Sequence, residues 1–467
     1  MEKNTDASVD FARNVVNTTF GNISAKGVEF AKQDILDTLG TLLGGSTADA
    51  GKEVVELAKE WGGKPESTIM AYGGKVPAPL AAFCNATMAH ALDLDDTHAT
   101  LPVHIGPIVV STAFAIAQRV GNVDGKEFIT SVALGADMLS RLARARTYPI
   151  HKYGFMFTPL YGYFGAASAA GKLLKLDESQ MVNAYGIAYA QCAGNVQVNI
   201  DDEHALTKRL SCGFAARGGI MSALLAKKGL TGAQHSLEGR FGLFNIYQRG
   251  DYDHDVLVKD IGKVYEIDNL SFKPYACCRQ AHSYIDAALQ LKRKHSIEPS
   301  EIDTIKVFIN ELAGRALCEP FELRCAPKEE VHAQFSIPWN VGVALAHGKV
   351  AIDCIQKENL NDAAVLAITK KITAEIDPAL EGQKLLAPEK AVEIRMKDGR
   401  VLTSSGTSTP KGDPANPMSY EELTAKFMDC LTFAPKKLDN ENVKKAIDMC
   451  IHLEEVKNVG DIALFLS

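Results

Sequence analysis

Residues 85–106 read NATMAHALDLDDTHATLPVHIG, and the prediction of fold and function starts from this stretch. It contains three histidines, three aspartates and three threonines, while the sequence on both sides is apolar. Ionisable side chains are rarely placed within apolar sequence unless they are paired or used in chemistry. The stretch is therefore predicted to form the floor of an active site.

The run of Ala, Met and Leu residues predicts a helix over Leu80 to Thr97. In such a helix His90, Asp93 and Thr97 stand at i, i+3 and i+7, so they share one face. The three side chains are then expected to point at one place.

The chain after this helix is predicted to turn back. Asp96 and His98 would lie on other helix faces, and Pro102 prevents the helix from continuing. His104 is therefore expected on the following turn, from which it can return to the same pocket.

Three alternative interpretations of the stretch remain. One is an ordinary helix end, in which Asp95 and Asp96 are solvated and His90 is a hydrogen-bonded core residue. The DLDDT string also fits the DxDxT pattern of aspartate-nucleophile phosphatases, but the sequence before it is Ala-rich and helical, where that chemistry needs a buried strand.

His and Asp are also good ligands for zinc or iron. A metal is nevertheless not expected, because the other His/Glu pairs stand in polar stretches: His235 with Glu238, His295 with Glu298, and His452 with Glu455.

Composition limits the class of protein. A chain of 467 residues is too long for one compact core, so two domains, or one large and one small, are expected. The 46% hydrophobic and 23% charged residues are typical of a globular protein, and a net charge of -7 favours neither nucleic acid nor an anionic membrane as a partner. The acidic N-terminus lacks the features of a secretory signal, and no apolar run reaches the ~18 residues of a membrane span. With ten scattered cysteines and no CxxC pair, a cytoplasmic protein with free thiols is predicted.

The chain order predicts a mainly α protein with a smaller α+β part. Apolar residues recur at three and four positions through residues 1–266, which indicates an all-helical domain. Two strands joined by a Lys-Asp-Gly-Arg turn and a further strand, IDTIKVFIN, place an α+β domain at 267–403. Residues 404–467 are expected to return to the helical domain.

Lys208 stands among small residues at the start of a nonpolar helix. A charged side chain is costly at such a position unless its charge takes part in binding or catalysis.

Several motifs in the same order resemble the MmgE/PrpD family, which includes 2-methylcitrate dehydratase, cis-aconitate decarboxylase and iminodisuccinate epimerase. They are HALDLDDTH followed by His104, FGAASAAGKLLKLD, LTKRLSCGFAARGG around Lys208, GLTGAQHSLEGRFGLF, FKPYACCRQAHSYIDAA, and HAQFSIPWNVGVALAHG. The resemblance covers nearly the whole chain. It implies a large all-helical domain built from both chain ends, a smaller α+β lid that moves over the pocket, and a homodimer.

The resemblance also implies the site residues. It places in the active site Asp93, Thr97, His104, Lys208 and Lys273, with Arg279 and His282 as neighbours. Many members carry a histidine after a Gly-Phe pair, where this chain has Met156. The missing group is expected to be supplied by His151, Tyr161 or Tyr163.

The family reactions move a proton, or stabilise a carbanion, at carbon next to a carboxylate. His104 can be the base, Asp93 can orient it, and Lys208, Lys273 and Arg279 can hold the anion. No cofactor is expected, since no glycine-rich phosphate loop is present. The first expectation is a hydro-lyase resembling 2-methylcitrate dehydratase that acts on a small di- or tricarboxylate. The alternatives are an epimerase of an iminodisuccinate-like substrate, a carboxy-lyase resembling cis-aconitate decarboxylase, and an inactive member kept as a binding protein.

Overall fold

The structure is a computed structural model that describes residues 6–149, 152–200, 206–380, 391–404 and 409–467, with the backbone alone at 199 and 200. The chain divides into two compact units. The first consists of Met1–Ala91, Asp95–Ser271 and Ser419–Ser467, and the second of Leu92–Leu94 and Phe272–Met418. The protein is mainly α-helical with a smaller α+β part, so the predicted fold class is confirmed. The domain boundaries at 267 and 403 stay a prediction.

The first unit is a helical assembly with two short strand pairs. Its helices up to residue 271 are α1 Ala7–Asn17, α2 Ala25–Gly44, α3 Gly51–Trp61, α4 Ala78–His90, α5 Gly106–Val120, α6 Gly125–Arg144, α7 Phe157–Leu173, α8 Glu178–Tyr189, α9 Gln197–Ile200, α10 Thr207–Lys227, α11 Leu243–Gln248 and α12 His254–Val258. Strands β1 Ser67–Thr68 and β2 Lys75–Val76 pair antiparallel, as do β3 Thr97–His98 and β4 Leu270–Ser271.

Close packing in this unit depends on small residues. Helices α6 and α7 approach so closely that a Cβ atom at Gly165 would lie 2.9 Å from the carbonyl oxygen of Gly135, and the reverse distance is also 2.9 Å. A larger residue at either position would push the helices apart, because an interior packed to crystal density has no room for the extra carbon. The run of small residues in α7 therefore sets the helix spacing beneath the site.

The second unit has a four-stranded sheet with order β6-β5-β7-β8. The strands are β5 Ile302–Ile309, β6 Ile372–Ile376, β7 Val392–Met396 and β8 Val401–Thr403, and its helices are α13 His282–His295, α14 Glu311–Leu317, α15 Phe321–Cys325, α16 Glu330–Gln334, α17 Ile337–His347 and α18 Ala363–Thr369. Strand β5 pairs parallel with β6 and antiparallel with β7, and β7 forms the predicted hairpin with β8. Gly399 turns that hairpin at φ +91°, a conformation that glycine adopts without cost.

The last part of the chain adds α19 Tyr420–Leu431, α20 Asn440–Ile451 and α21 Gly460–Phe465 to the first unit. Helix α19 begins with a capping box. The Ser419 hydroxyl accepts from the Glu422 backbone N–H at 3.2 Å, and the Glu422 carboxylate accepts from the Ser419 N–H at 2.8 Å. Within the described residues, no helix is both long enough and apolar enough to cross a membrane.

One predicted helix is wrong in its extent. Helix α4 ends at His90, and the residues up to Thr97 are not helical. Asp93 has φ +53°, outside the right-handed helical range, and Thr97 belongs to strand β3. The helical face shared by His90, Asp93 and Thr97 therefore does not exist.

Candidate active site

The end of helix α4 carries a histidine into the interior of the first unit. The helix has no polar face, so it is buried on every side, and His90 at its last turn is 1% exposed. The following Asp95 and Asp96 are 0% exposed. The alternative in which these two aspartates are solvated is therefore wrong. Carboxyl groups this deep require partners, because desolvating a charge is costly.

Asp95 holds two histidines with one oxygen. Its Oδ2 atom lies 2.9 Å from Nδ1 of His90 and 2.9 Å from Nδ1 of His104. The two imidazole rings are 4.9 Å apart and meet edge to face at 70°. Because a carboxylate can only accept, both rings are assigned the proton on Nδ1. Each Nε2 atom then carries a lone pair.

Lys208 completes this group from the first turn of α10. Its Nζ atom lies 3.3 Å from Nε2 of His90, so the amino group donates to the nitrogen that carries the lone pair. Burial, reinforced by Lys208, lowers the pKa of His90 to about 4, although Asp95 acts in the opposite direction. Burial alone would raise the pKa of Asp95, but the two histidines outweigh it and hold that pKa well below its usual range. At neutral pH His90 is neutral and Asp95 is ionised.

His104 differs from His90 in that it reaches solvent. Its side chain is 19% exposed, and its Nδ1 also lies 2.9 Å from the Asp96 carbonyl oxygen. Its backbone N–H donates to Thr158 Oγ1 at 3.0 Å. Nε2 of His104 has no hydrogen-bond partner among the described residues. An imidazole that is fixed through one nitrogen and open at the other is suited to general acid–base catalysis.

Asp96 fixes the chain directly after His104. Its two carboxyl oxygens accept from the N–H groups of Ile105 at 3.1 Å and Gly106 at 2.7 Å, at the start of α5. The start of a helix is where a carboxylate is favoured, because the first N–H groups of the helix have no partner within it. Asp96 therefore contacts His104 through its carbonyl group and anchors the residues that follow.

The second unit contains the predicted pair of Asp93 and Lys273. Lys273 Nζ donates to the Asp93 carbonyl oxygen at 2.6 Å and to its carboxylate at 3.0 Å. The two side chains are 1% and 4% exposed. The double contact holds Asp93 in its left-handed conformation, which aspartate tolerates better than most residues. Asp95 lies 2.9 Å from Nδ1 of His104, and the expectation that Asp93 orients His104 stays a prediction.

Arg279 and His282 also lie in the second unit. Arg279 forms an ion pair of 3.1 Å with Asp413. His282 is fully buried, its Nε2 lies 3.2 Å from the Cys277 carbonyl oxygen, and burial together with Arg279 and Lys273 lowers its pKa well below the usual range. His282 is therefore a neutral interior residue, and its predicted contact with substrate stays a prediction.

The other predicted binding residues are engaged within the first unit. Thr97 donates through Oγ1 to the Val103 carbonyl oxygen at 3.0 Å. Tyr161 is fully buried in α7 and is hydrogen-bonded to Gln248. His151 lies outside the described residues. The substrate contacts predicted for these residues are not tested by this geometry.

Sequence reasoning placed His90 on the predicted site face without giving it a role in the reaction, and it did not single out Asp95. The sequence feature that could have identified the site is the pair of acids, DD, directly after an apolar helix. Two acidic residues are unfavourable at such a position unless they are paired or take part in chemistry. One set of potential metal ligands among the described residues includes His90, Asp95 and His104, whose ligand atoms lie within 4.8 Å of one another. The Nδ1 atoms of both histidines in that set contact Asp95, and the absence of a metal stays a prediction.

The chain thus has a helical unit built from both chain ends, an α+β unit, and a group of histidine, aspartate and lysine side chains in the helical unit. The MmgE/PrpD N-terminal domain matches residues 9–255 and the MmgE/PrpD C-terminal domain matches residues 275–453. The chain therefore belongs to the MmgE/PrpD family.

Its curated relatives include three proteins that match nearly from end to end. The "Cis-aconitate decarboxylase" of Aspergillus terreus is 24% identical over 97% of this chain and 94% of its own length. That of Homo sapiens is 26% identical over 98% of this chain and 94% of its own length. That of Mus musculus is 25% identical, over 94% and 88%.

Proposed function

We propose that this protein is a cofactor-independent lyase that acts at a carbon next to a carboxylate group of a small di- or tricarboxylate. The observation that carries the proposal is His104, whose Nδ1 atom is held by Asp95 at 2.9 Å while its side chain remains 19% exposed. An imidazole held in this way can give or take one proton at Nε2 without moving.

Among the lyase reactions, decarboxylation requires the fewest proton-transfer groups from this site. In decarboxylation the C–C bond to the leaving carboxylate breaks as carbon dioxide departs. The electron pair stays on carbon and takes a proton from protonated His104 Nε2. One proton donor is enough, and Asp95 stabilises the imidazolium before transfer. Lys208 donates to the neighbouring His90 at 3.3 Å and places a hydrogen-bond donor beside the reacting ring.

A hydro-lyase or an epimerase needs a second proton-transfer group. Elimination of a hydroxyl requires a base at carbon and an acid at the leaving oxygen, whereas epimerisation requires groups on both faces of the carbon. The family resemblance implies a histidine at the position of Met156, and the Met156 side chain has no proton to give. The names of the relatives also favour decarboxylation, so we place the carboxy-lyase before the hydro-lyase expected from the sequence.

Proton NMR in deuterated water tests the reaction, with a panel of cis-aconitate, citrate, 2-methylcitrate and iminodisuccinate. A carboxy-lyase releases carbon dioxide and gives a product with one deuterium per turnover. A new vinyl proton without carbon dioxide would instead support the hydro-lyase, and deuterium entering without net turnover would support the epimerase. Binding without any of these changes would indicate an inactive member, and His104→Ala is the control for background reaction.

The oligomeric state belongs to the same proposal. We expect a homodimer, as the family resemblance implies. Sedimentation equilibrium of the full chain measures the mass directly, and a mass near the 50.4 kDa of one chain would contradict the expectation.

A further inference from the structure

A second layer of acidic residues lies in the interior of the first unit, next to the aspartates of the site. Asp34 of α2 is 0% exposed, and neither of its carboxyl oxygens has a hydrogen-bond partner among the described residues. Thr38, one turn later, has a buried hydroxyl that is also without a partner. A carboxylate in such surroundings would be desolvated without compensation, so the protonation state of Asp34 needs an explanation.

Asp34 and Asp96 meet at Gly106. A Cβ atom at Gly106 would lie 2.6 Å from Asp34 Oδ1, 2.8 Å from Asp96 Oδ1 and 2.2 Å from Thr38 Oγ1. These oxygens therefore crowd one side of the first residue of α5. Two carboxyl groups that share a site cannot both be ionised at low cost, and one of them keeps its proton.

The charges around the pair agree with this conclusion. Burial, followed by Asp96, Asp37 and Asp95, raises the pKa of Asp34 well above its usual range. Lys426 of α19 is the cation that acts on Asp34 in the opposite direction, but it donates to Asp37 at 2.6 Å. Burial and Asp95 also raise the pKa of Asp96 to about 8.

The hydrogen bonds decide which of the two carries the proton. Asp96 accepts from two backbone N–H groups, one with each oxygen, and these bonds favour its ionised form. Asp34 accepts nothing from the described residues, so the proton is better placed on Asp34. The neutral carboxyl group of Asp34 can then donate to the Asp96 carboxylate.

We propose that Asp34 is a positioning residue for His104, and that the O–H of its neutral carboxyl group positions Asp96 by donating a hydrogen bond to the Asp96 carboxylate. The role in catalysis rests on the function proposed above. The carbonyl oxygen of Asp96 is 2.9 Å from His104 Nδ1, and its carboxylate accepts from the N–H groups of the two residues that follow His104. Without the proton of Asp34, two buried carboxylates would repel each other and Asp96 would withdraw from His104.

The test compares Asp34→Asn with Asp34→Ala, because asparagine copies the shape and the donor of a neutral carboxylic acid. The first measurement is infrared spectroscopy at neutral pH, where the wild-type protein should show a protonated-carboxyl band that is absent from both variants. The second is the ¹⁵N signal of the His104 Nδ1–H group, which Asp34→Asn should retain and Asp34→Ala should shift or lose. Neither measurement needs a substrate.

The kinetic measurement connects the pair to the reaction. Asp34→Asn should keep kcat within about threefold of wild type, since one neutral hydrogen bond replaces another. Asp34→Ala should lower kcat by about 10²-fold with little change in KM, the effect expected when a catalytic group is displaced by about an ångström. If Asp34→Ala fails to fold, the infrared band and Asp34→Asn alone decide the question.

Three results would overturn the proposal: no protonated-carboxyl band that disappears with Asp34, a loss in Asp34→Asn as large as in Asp34→Ala, or an Asp34→Ala protein with wild-type kcat and an unchanged His104 signal. A band that disappears with Asp96→Asn but persists in Asp34→Asn would place the proton on the wrong residue and also count against it. If no compound of the panel is turned over while the infrared and NMR results agree with expectation, the proposed function fails and the Asp34–Asp96 pair stands.

Discussion

Asp93 and Asp95 are two positions apart in the sequence, yet they belong to different units and have opposite kinds of partner. In the second unit, Asp93 is bound by the buried ammonium of Lys273, at 3.0 Å through its carboxylate. In the first unit, Asp95 is bound by two imidazoles, at 2.9 Å each. The first arrangement is an ion pair between two side chains, whereas the second leaves the Nε2 atom of His104 without a hydrogen-bond partner among the described residues.

The physical cost of the two arrangements differs as well. A buried ion pair contributes little net stability but is costly to break, because the remaining charge is left without a partner. A carboxylate that accepts from two imidazoles stabilises either ring when that ring carries a proton. The Asp95 group therefore fits the proposed proton transfer, whereas the Asp93 pair fixes the backbone of Leu92–Leu94 through the hydrogen bond from Lys273 to the Asp93 carbonyl oxygen.

The largest effect is expected for His104→Ala. If His104 transfers the proton, kcat should fall by about 10² to 10⁴-fold with a smaller change in KM. The matched control is His98→Ala, which removes a buried histidine that contacts Glu266 at 3.2 Å outside the Asp95 group. The control should lower the melting temperature and leave kcat of the folded fraction close to wild type. A near-normal kcat in a well-folded His104→Ala protein would refute the assignment of proton transfer to the Asp95 group.

Lys273→Met tests the second unit. Removing the ammonium leaves the Asp93 carboxylate buried, so the free energy of unfolding should fall by about 3 to 5 kcal/mol in urea titrations. The double variant Asp93→Asn/Lys273→Met should recover part of this loss, because no charge is then left alone. If Lys273 instead serves mainly to bind substrate, as the sequence led us to expect, stability will be unchanged and KM will rise.

Lys208→Ala is expected to have the next largest effect. If its amino group stabilises charge through His90, kcat should fall by about 10² to 10³-fold. Combined with His104→Ala, the loss should be less than the product of the two single losses, because both residues serve one step. Lys227→Ala, at the other end of α10, is a control that should leave kcat unchanged. A normal kcat for Lys208→Ala would remove that lysine from the mechanism.

His90 makes stability depend on pH. Its pKa is about 4 in the folded protein and 6.5 in an unfolded chain, so the unfolded state takes up the proton first as the pH falls. The stabilisation is complete above pH 6.5 and is lost towards pH 4, by at most about 3 kcal/mol. Unfolding free energies measured at several pH values in this window should fall less steeply for His90→Gln than for wild type. Parallel slopes for the two proteins would show that His90 does not titrate in this way.

Much of the fold could be predicted because its signals are local. The β7–β8 hairpin follows from a turn at Asp398 and Gly399, and the start of α19 follows from Ser419 and Glu422. His104, Lys208 and Lys273 were named as site residues from their motifs. The periodicity of apolar residues in α4 was equally clear up to His90.

The remainder depends on contacts that are distant in sequence. Nothing between Ala91 and Thr97 breaks a helix, and Asp93 leaves the helical conformation in contact with Lys273, 180 residues away. The partners of Asp95 come from both sides of that break, so a helical wheel could not identify them. The position of Asp34 next to Asp96 joins α2 to the start of α5, and the amphipathic pattern of α2 carries no sign of it.

The smallest effect is expected for metal removal. A divalent metal bound by His90, Asp95 and His104 would make this group resemble the Asp93–Lys273 pair. The imidazole nitrogens would then be bound to a fixed positive charge. Both Nδ1 atoms, however, already lie 2.9 Å from Asp95 Oδ2, a hydrogen-bond distance that leaves no room for an ion between them. We therefore expect full activity after dialysis against EDTA, and no gain when zinc, iron or magnesium is added. Activity that disappears with EDTA and returns with one divalent ion would show that the ligand atoms rearrange around a metal, and His104 would then have to be reassigned from proton carrier to ligand.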